Sequence, residues 1–394
     1  MGTVNITLAN GQLGATLQTN DGITGMVLTG ITDTGGYTAG TPLLVTSLAN
    51  LTVQGITESA NPFAWRQVKE YYDEAGAGAQ LYLMLAPPTM KVSDMADHTN
   101  ANGAKKLLNF AQGKIKVLGI MSDDAAVATT LTITTTVTHG LNQEVYNAAT
   151  NMAVLASDFF AAQKPFRAVI GATSYNNNAA SLTDLTAGTT NNRTAVLLGD
   201  TGTGIAACLG LLLGRISAIP VMRKVSRVRT GALSNIAAYL GTGALEGVLA
   251  DAATIADKGF ITWLMYPNVA GYFFSGDDTC SAVTDDYHYL AHGRVIDKAH
   301  ILAYTTFVQE VDDEVPVNTD GTLDAGFCKW LGQQIINQIN NTMTAGKEIS
   351  SVDCLIDPAQ NILSTNQLNV VLKIVPVGYA TDIEISLGFN NPAA

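Results

Sequence analysis

Apolar and polar residues alternate at both ends of the chain. In residues 3–8, Val4, Ile6 and Leu8 fall on one side and Thr3, Asn5 and Thr7 on the other, the pattern of a strand with one apolar face. A loose Gly-Gln-Leu-Gly-Ala-Thr stretch and the Asn20-Asp21-Gly22 turn follow. A strand set off from the body in this way can serve as an arm. Residues 382–389 repeat the pattern, with Ile383, Ile385 and Leu387 alternating.

Between the two ends the pattern changes. Short, strongly apolar runs at 81–85, 115–121, 166–171, 194–199 and 260–266, together with 25–29, read as strands. Continuous apolar runs are expected where both faces of a sheet are covered. Helical spacing appears between them. Residues 62–74 carry Phe63, Val68, Tyr71 and Tyr72, and residues 145–162 carry Val154, Leu155, Phe159 and Phe160. Residues 204–219 are apolar nearly all round, and 232–256 carry Leu233, Ile236, Leu240, Leu245 and Leu249. Strand–helix alternation of this kind predicts an α/β body with a largely parallel, doubly wound sheet. The Thr-rich residues 131–138 fit a strand or the approach to a helix, and the polar residues 176–192 read as a surface loop.

The last third reads as a separate α+β module. A long helix is expected over 286–311, where Val295, Ile296, Ala299, Leu302 and Phe307 recur at helical spacing. A turn region at 315–322 leads to a second helix over 325–344, with Leu331, Ile335, Ile336 and Ile339 on its inner stripe. Strands are expected at 369–377 and 382–389. The expected organisation is an N-terminal arm over 1–20 and an α/β body over 21–270. A C-terminal oligomerisation module over 271–380 and a strand arm over 381–394 complete it.

Charge sharpens this division. Of the 394 residues only 14% are charged while 47% are hydrophobic, a surface suited to burial against other protein. The net charge is −12. From Gly271 onward there are five Lys/Arg against sixteen Asp/Glu, a net of −11, so the first 270 residues are almost neutral. An acidic surface argues against direct nucleic-acid binding and against anionic membranes. The apolar stretch between Asp200 and Arg215 is too short to span a bilayer. Cys208, Cys280, Cys328 and Cys354 are too far apart in sequence for a metal knuckle and read as free thiols in a reducing compartment. The first ten residues lack the basic start and apolar core of a signal peptide.

The search for chemistry yields little. The turn from Gly199 to Gly204 follows a strand and precedes a helix, as a phosphate cradle would, yet it is neither GxGxxG nor followed by Gly-Lys-Ser/Thr. Asp312, Asp313, Glu314, Asp320 and Asp324 cluster, but not with EF-hand spacing, and Pro316 interrupts them. They read as a solvated or partner-facing loop. His288 and His292 share a helical face without a HExxH pattern and read as hydrogen-bonded histidines. Ser122, Asp123 and Asp124 sit where α/β enzymes place catalytic groups, yet no G-x-S-x-G elbow surrounds any serine. The one concentrated positive feature is Arg215, Arg223, Lys224, Arg227 and Arg229. It lacks the interleaved aromatics of a nucleic-acid groove and reads as a face for an acidic neighbour. No catalytic, metal or cofactor site is expected.

Three stretches together resemble tail sheath proteins of contractile phage tails. The first runs Leu212-Leu213-Gly214-Arg215-Ile216-Ser217-Ala218-Ile219-Pro220-Val221 and continues to Arg227-Val228-Arg229-Thr230-Gly231-Ala232-Leu233. The second joins Gly22-Ile23-Thr24-Gly25, Asn61-Pro62 before a helix, and Glu74-Ala75-Gly76-Ala77-Gly78-Ala79-Gln80-Leu81-Tyr82-Leu83-Met84. The third opens with Arg294-Val295-Ile296-Asp297-Lys298-Ala299, reaches Asp312-Asp313 and includes Ile356-Asp357-Pro358. The likeness spans most of the chain without one highly specific motif. It implies a compact, non-enzymatic subunit that polymerises helically around an inner tube and contracts to drive that tube through a target envelope. The implied partners are copies of the chain, the tail tube protein, and baseplate and tail terminator proteins, with no nucleic acid and no membrane insertion. The implied place is a virion tail assembled in the host bacterial cytoplasm. Terminal extensions of such sheaths add strands to a neighbour's C-terminal module. Val4, Ile6 and Leu8, and Ile383, Ile385 and Leu387, would then fill alternate pockets, with 369–377 as an acceptor edge. Arg223, Lys224, Arg227 and Arg229 against Asp312, Asp313 and Glu314 are the candidate charged interface. The runner-up function is another virion or tail component such as a tube, baseplate or shell protein, and behind it an α/β hydrolase-like enzyme.

Overall fold

The computed structural model describes residues 18–33, 36–124, 136–187, 190–204, 206–381 and 383–389. By its internal contacts the chain divides into two compact units, Met1–Val308 and Gln309–Ala394.

The first unit is built on six strands: β1 (Thr24–Thr29), β2 (Leu43–Val45), β3 (Leu81–Ala86), β4 (Val117–Met121), β5 (Arg167–Gly171) and β6 (Thr194–Leu197). They lie in the order β2-β3-β1-β4-β5-β6. All pairings are parallel except β2 on β3. Thr24 of β1 faces both Leu81 and Val117, so the first halves of three strands share one register. Every residue of the five parallel strands is buried. This is why they read as unbroken apolar runs rather than as alternating ones. The α/β body with a mostly parallel sheet is therefore as the sequence predicts.

Helices α1 (Pro62–Ala75), α2 (Gln143–Ala161), α3 (Leu209–Ala218) and α4 (Leu290–Phe307) belong to this unit. Pro62 opens α1 with its φ already helical, and Gly76 ends it at φ +78°. α1 and α3 pack backbone to backbone. Gly210 and Gly214 lie one turn apart on α3, and a Cβ on Gly214 would stand 2.5 Å from the Tyr71 carbonyl oxygen. Three polar side chains of α1 are engaged along this contact. Gln67 donates to the Ala207 carbonyl at 2.9 Å and accepts from the Gly210 N–H at 2.7 Å. Tyr71 donates to Ser217 at 3.0 Å. Glu74 pairs with Arg215 at 2.8 Å, both nearly buried.

Several expected elements are shorter than predicted. Residues 232–256 do not form one helix. Gly241 at φ +58° turns the short pair Tyr239–Leu240 and Gly243–Ala244, and only Leu249–Asp257 is helical. Leu233, Leu240 and Leu245 are buried one at a time, while Ile236 is 96% exposed. Residues 260–266 supply one bridge, Ile261 to Leu197, and the pair Trp263–Leu264 with Phe273–Phe274. α3 begins at Leu209, because residues 199–204 are spent on a turn. α4 begins at Leu290, where Asp277 caps it by accepting from the Ala291 N–H at 3.0 Å. Of the Thr-rich stretch, Val137–Thr138 pairs with Leu141–Asn142, and residues 131–135 lie outside the described residues.

The second unit holds α5 (Ala325–Ile339), β7 (Ile349–Leu355) and β8 (Val371–Pro376). Asp324 caps α5 through the Phe327 N–H at 2.8 Å, and the helix runs on into a π-helical turn, Asn340–Thr344. Leu331, Ile335 and Ile339 are buried. β7 and β8 form a two-stranded antiparallel sheet. The strand β7, which has little apolar pattern in the sequence, is not predicted, and neither are β2 and the helix Ala104–Ala111 of the first unit. Among the described residues no helix is long and apolar enough to cross a membrane.

Candidate assembly site

The segment that ends the described chain exposes its apolar side chains. Ile383, Ile385 and Leu387 are 75%, 74% and 92% exposed, and Phe389 is wholly exposed. Residues 383–389 take no strand pairing among the described residues. Among the described residues the strand expected over 382–389 is not formed, and Asp382 lies outside them. Val4, Ile6 and Leu8 lie outside the described residues.

The β7–β8 ribbon also carries exposed apolar side chains. Leu355 opposes Val371, Asp353 opposes Lys373 and Ser351 opposes Val375. Leu355, Val371 and Val375 are all about half exposed. With only two strands among the described residues, the ribbon leaves its outer N–H and C=O groups available for a third. The expected acceptor at 369–377 contains β8.

The charged candidates separate. Lys224 turns inward, with its Nζ 3.4 Å from Asp277 Oδ1 and 3.4 Å from the centre of the Tyr289 ring. It belongs to the fold. Arg223 and Arg227 are half-buried, Arg229 is exposed, and Asp312, Asp313 and Glu314 are all exposed.

The residues weighed for chemistry serve structure. Asp124 accepts from Ser122 at 2.8 Å, Asn142 at 2.9 Å and Ser174 at 2.8 Å. No histidine joins this group among the described residues. In the Gly-rich turn, Asp200 takes both Arg66 guanidinium nitrogens at 2.9 and 3.1 Å, and Thr201 donates to Glu70 at 2.5 Å. Burial pushes the Glu70 carboxyl up to about 7 against the pull of Thr201 and Arg66. His288 bonds Asp278 at 3.0 Å and the Ser281 carbonyl at 3.0 Å. No group of three or more His, Cys, Asp or Glu is placed to hold a metal among the described residues.

The fold is a mostly parallel α/β body followed in the chain by a helix-and-ribbon unit. Solved structures agree with this over the whole chain. A chain of the anti-feeding prophage baseplate superposes with TM-score 0.64 at 13% identity, covering 99% of this chain and 100% of that one. A chain of the contracted PVC sheath complex, from an extracellular contractile injection system, gives 0.62 at 12% identity over 100% and 99%. A chain of the contracted helical sheath of the anti-feeding prophage gives 0.59 at 13% identity over 98% of each. No curated protein matches in sequence. The chain belongs to the DUF2586 family, whose N-terminal domain matches residues 1–278 and whose C-terminal domain matches residues 286–394.

Proposed function

We propose that this protein is the structural subunit of a contractile tail sheath, polymerising helically around an inner tube and contracting to drive that tube through a target cell envelope. The observation that carries the reading is the end-to-end correspondence of fold, with nothing substantial left over on either side, between this chain and chains of two contracted sheaths. The exposed apolar tail and the open ribbon supply a physical means of linkage. Residues 383–389, and residues 3–8 at the other end, add strands to a neighbour's β7–β8 sheet. A linkage made of backbone hydrogen bonds survives while the bodies change partners. The free energy of contraction is stored in the metastable extended array, so no nucleotide site is required. A heterologous contact that does not close generates the helical filament. The subunit is read as non-enzymatic, since Asp124 and Asp200 are fully occupied by neighbouring donors. Its partners are further copies, the tail tube protein, and baseplate and terminator proteins, in a tail or injection particle assembled in the bacterial cytoplasm.

The likeness to a baseplate chain favours a second reading, a baseplate component. Electron microscopy of the purified protein separates the two. Hollow tubules support the sheath subunit, closed rings the baseplate part, and discrete small oligomers at every concentration overturn both. A chain lacking residues 1–11 is expected to remain folded and soluble while failing to form long tubes. Normal tubes from that truncation would remove the N-terminal arm from the mechanism.

A further inference from the structure

The loop that follows α3 is pinned in place, yet it turns positive charge outward. Val221 and Val225 are buried beneath it. Lys224 is spent on Asp277 and Tyr289. Arg215 grips the far end through the Gly231 and Ala232 carbonyls at 3.2 and 2.9 Å. Arg223, Arg227 and Arg229 are left over, and none of them forms an ion pair among the described residues. Partial burial, and then the nearby Arg227, pull the Arg223 guanidinium down from its usual range. Like charges gathered on a fixed loop cost free energy unless an anionic surface is brought to them.

The second unit carries a fitting anion. It has eleven Asp/Glu against three Lys/Arg. Asp312, Asp313 and Glu314 are exposed, without an ion pair among the described residues. Each segment also has an exposed aliphatic beside its charges, Val228 and Ile236 near the loop and Val311 next to the acids. Charge flanked by apolar surface is the make-up of a protein contact rather than of a solvated face. A nucleic acid is a poor occupant, because the chain as a whole carries −12.

We propose that the basic loop at 223–229 of one copy docks on the acidic segment at 311–314 of a second copy. This deepens the polymer reading and rests on it. Each copy offers one loop and one segment, so the contact is heterologous and repeats head to tail, giving an open filament where its rotation does not close.

The test reverses charge on each side separately. One variant carries Arg223→Glu, Arg227→Glu and Arg229→Glu, and the other carries Asp312→Arg, Asp313→Arg and Glu314→Arg. Circular dichroism and thermal melting establish that both are folded. If the first is not, Arg→Gln at the same positions takes its place. Sedimentation then reads association, from pairs of copies up to tubes. Each variant alone is expected to need about a hundredfold more protein than wild type to associate. In an equimolar mixture every loop meets a segment of opposite sign, and association returns to near the wild-type concentration. Two results would overturn the proposal: wild-type association by either variant alone, which would place the loop's partner on the tube or within its own chain, or a mixture that stays dissociated. Wild-type protein that forms copy-to-copy pairs but no tubes would count against the sheath reading while leaving this contact standing.

Discussion

Replacing Ile383, Ile385 and Leu387 together by serine separates assembly from folding. All three side chains are mostly exposed in the subunit, and surface changes of this kind alter stability by about 0.5 kcal/mol or less. For a domain of this size the melting temperature is expected to move by no more than about 1–2 °C. Docking against a neighbour's ribbon would bury them. Burial of a large aliphatic side chain is worth about 1.5–3 kcal/mol. Taking the low end for each, scaled by exposures of 75%, 74% and 92%, gives about 3.5 kcal/mol per joint. At about 1.4 kcal/mol per tenfold, the critical concentration for polymerisation rises a few hundredfold. Pelleting of polymer across a dilution series measures it. A critical concentration unchanged within threefold, with tubes of normal length, would refute the claim that this segment joins one copy to the next. A large fall in melting temperature would show instead that the tail is a working part of its own subunit.

Three further outcomes follow from the body. Arg215→Met strips the ion pair from Glu74, which lies nearly buried on α1; stability is expected to fall by about 3–5 kcal/mol, read as a lower urea midpoint, and Glu74→Gln in the same chain should restore part of it. Glu70 has a folded pKa of about 7, raised from 4.5 mainly by burial, so the folded state binds the proton more tightly and stability falls as pH climbs from about 4.5 through 7. Glu70→Gln keeps the acceptor for Thr201, and denaturant midpoints should be higher than wild type at pH 8 and flatter between pH 5 and 8. The hydrogen bond that His288 donates to Asp278 raises the His288 pKa, so its contribution is complete below about 6.5 and fades as pH rises through the folded value; His288→Gln should remove that slope from the melting curve.

The body of the fold is legible because its strands are buried on both faces. β3, β4 and β5 announce themselves as apolar runs that no surface element would carry. α1 is equally plain, since Pro62 and Gly76 punctuate it. What misleads is apolar spacing without a helix beneath it. Leu233, Leu240 and Leu245 recur almost as a stripe, yet Gly241 breaks the chain between them and each finds its own niche. The ribbon strand β7 is hidden for the opposite reason. Its residues are Ile-Ser-Ser-Val-Asp-Cys-Leu, half polar, because one face looks outward. Lys224 shows the limit of charge reading. Sequence puts it among its arginine neighbours, and only the tertiary position of Asp277 and Tyr289 takes it out of the group.

The β7–β8 ribbon has a consequence for the life of a free subunit. Among the described residues it is a small sheet of two strands whose outer edges are unpaired. Under the proposed linkage the missing strands arrive only with neighbours, so completion of this unit is governed by mass action. A stray copy is then the most heat-labile and protease-sensitive form of the protein, and each added neighbour hardens it. Polymerisation thereby acts as its own proofreading, preserving what has been incorporated and leaving the unincorporated chain open to removal.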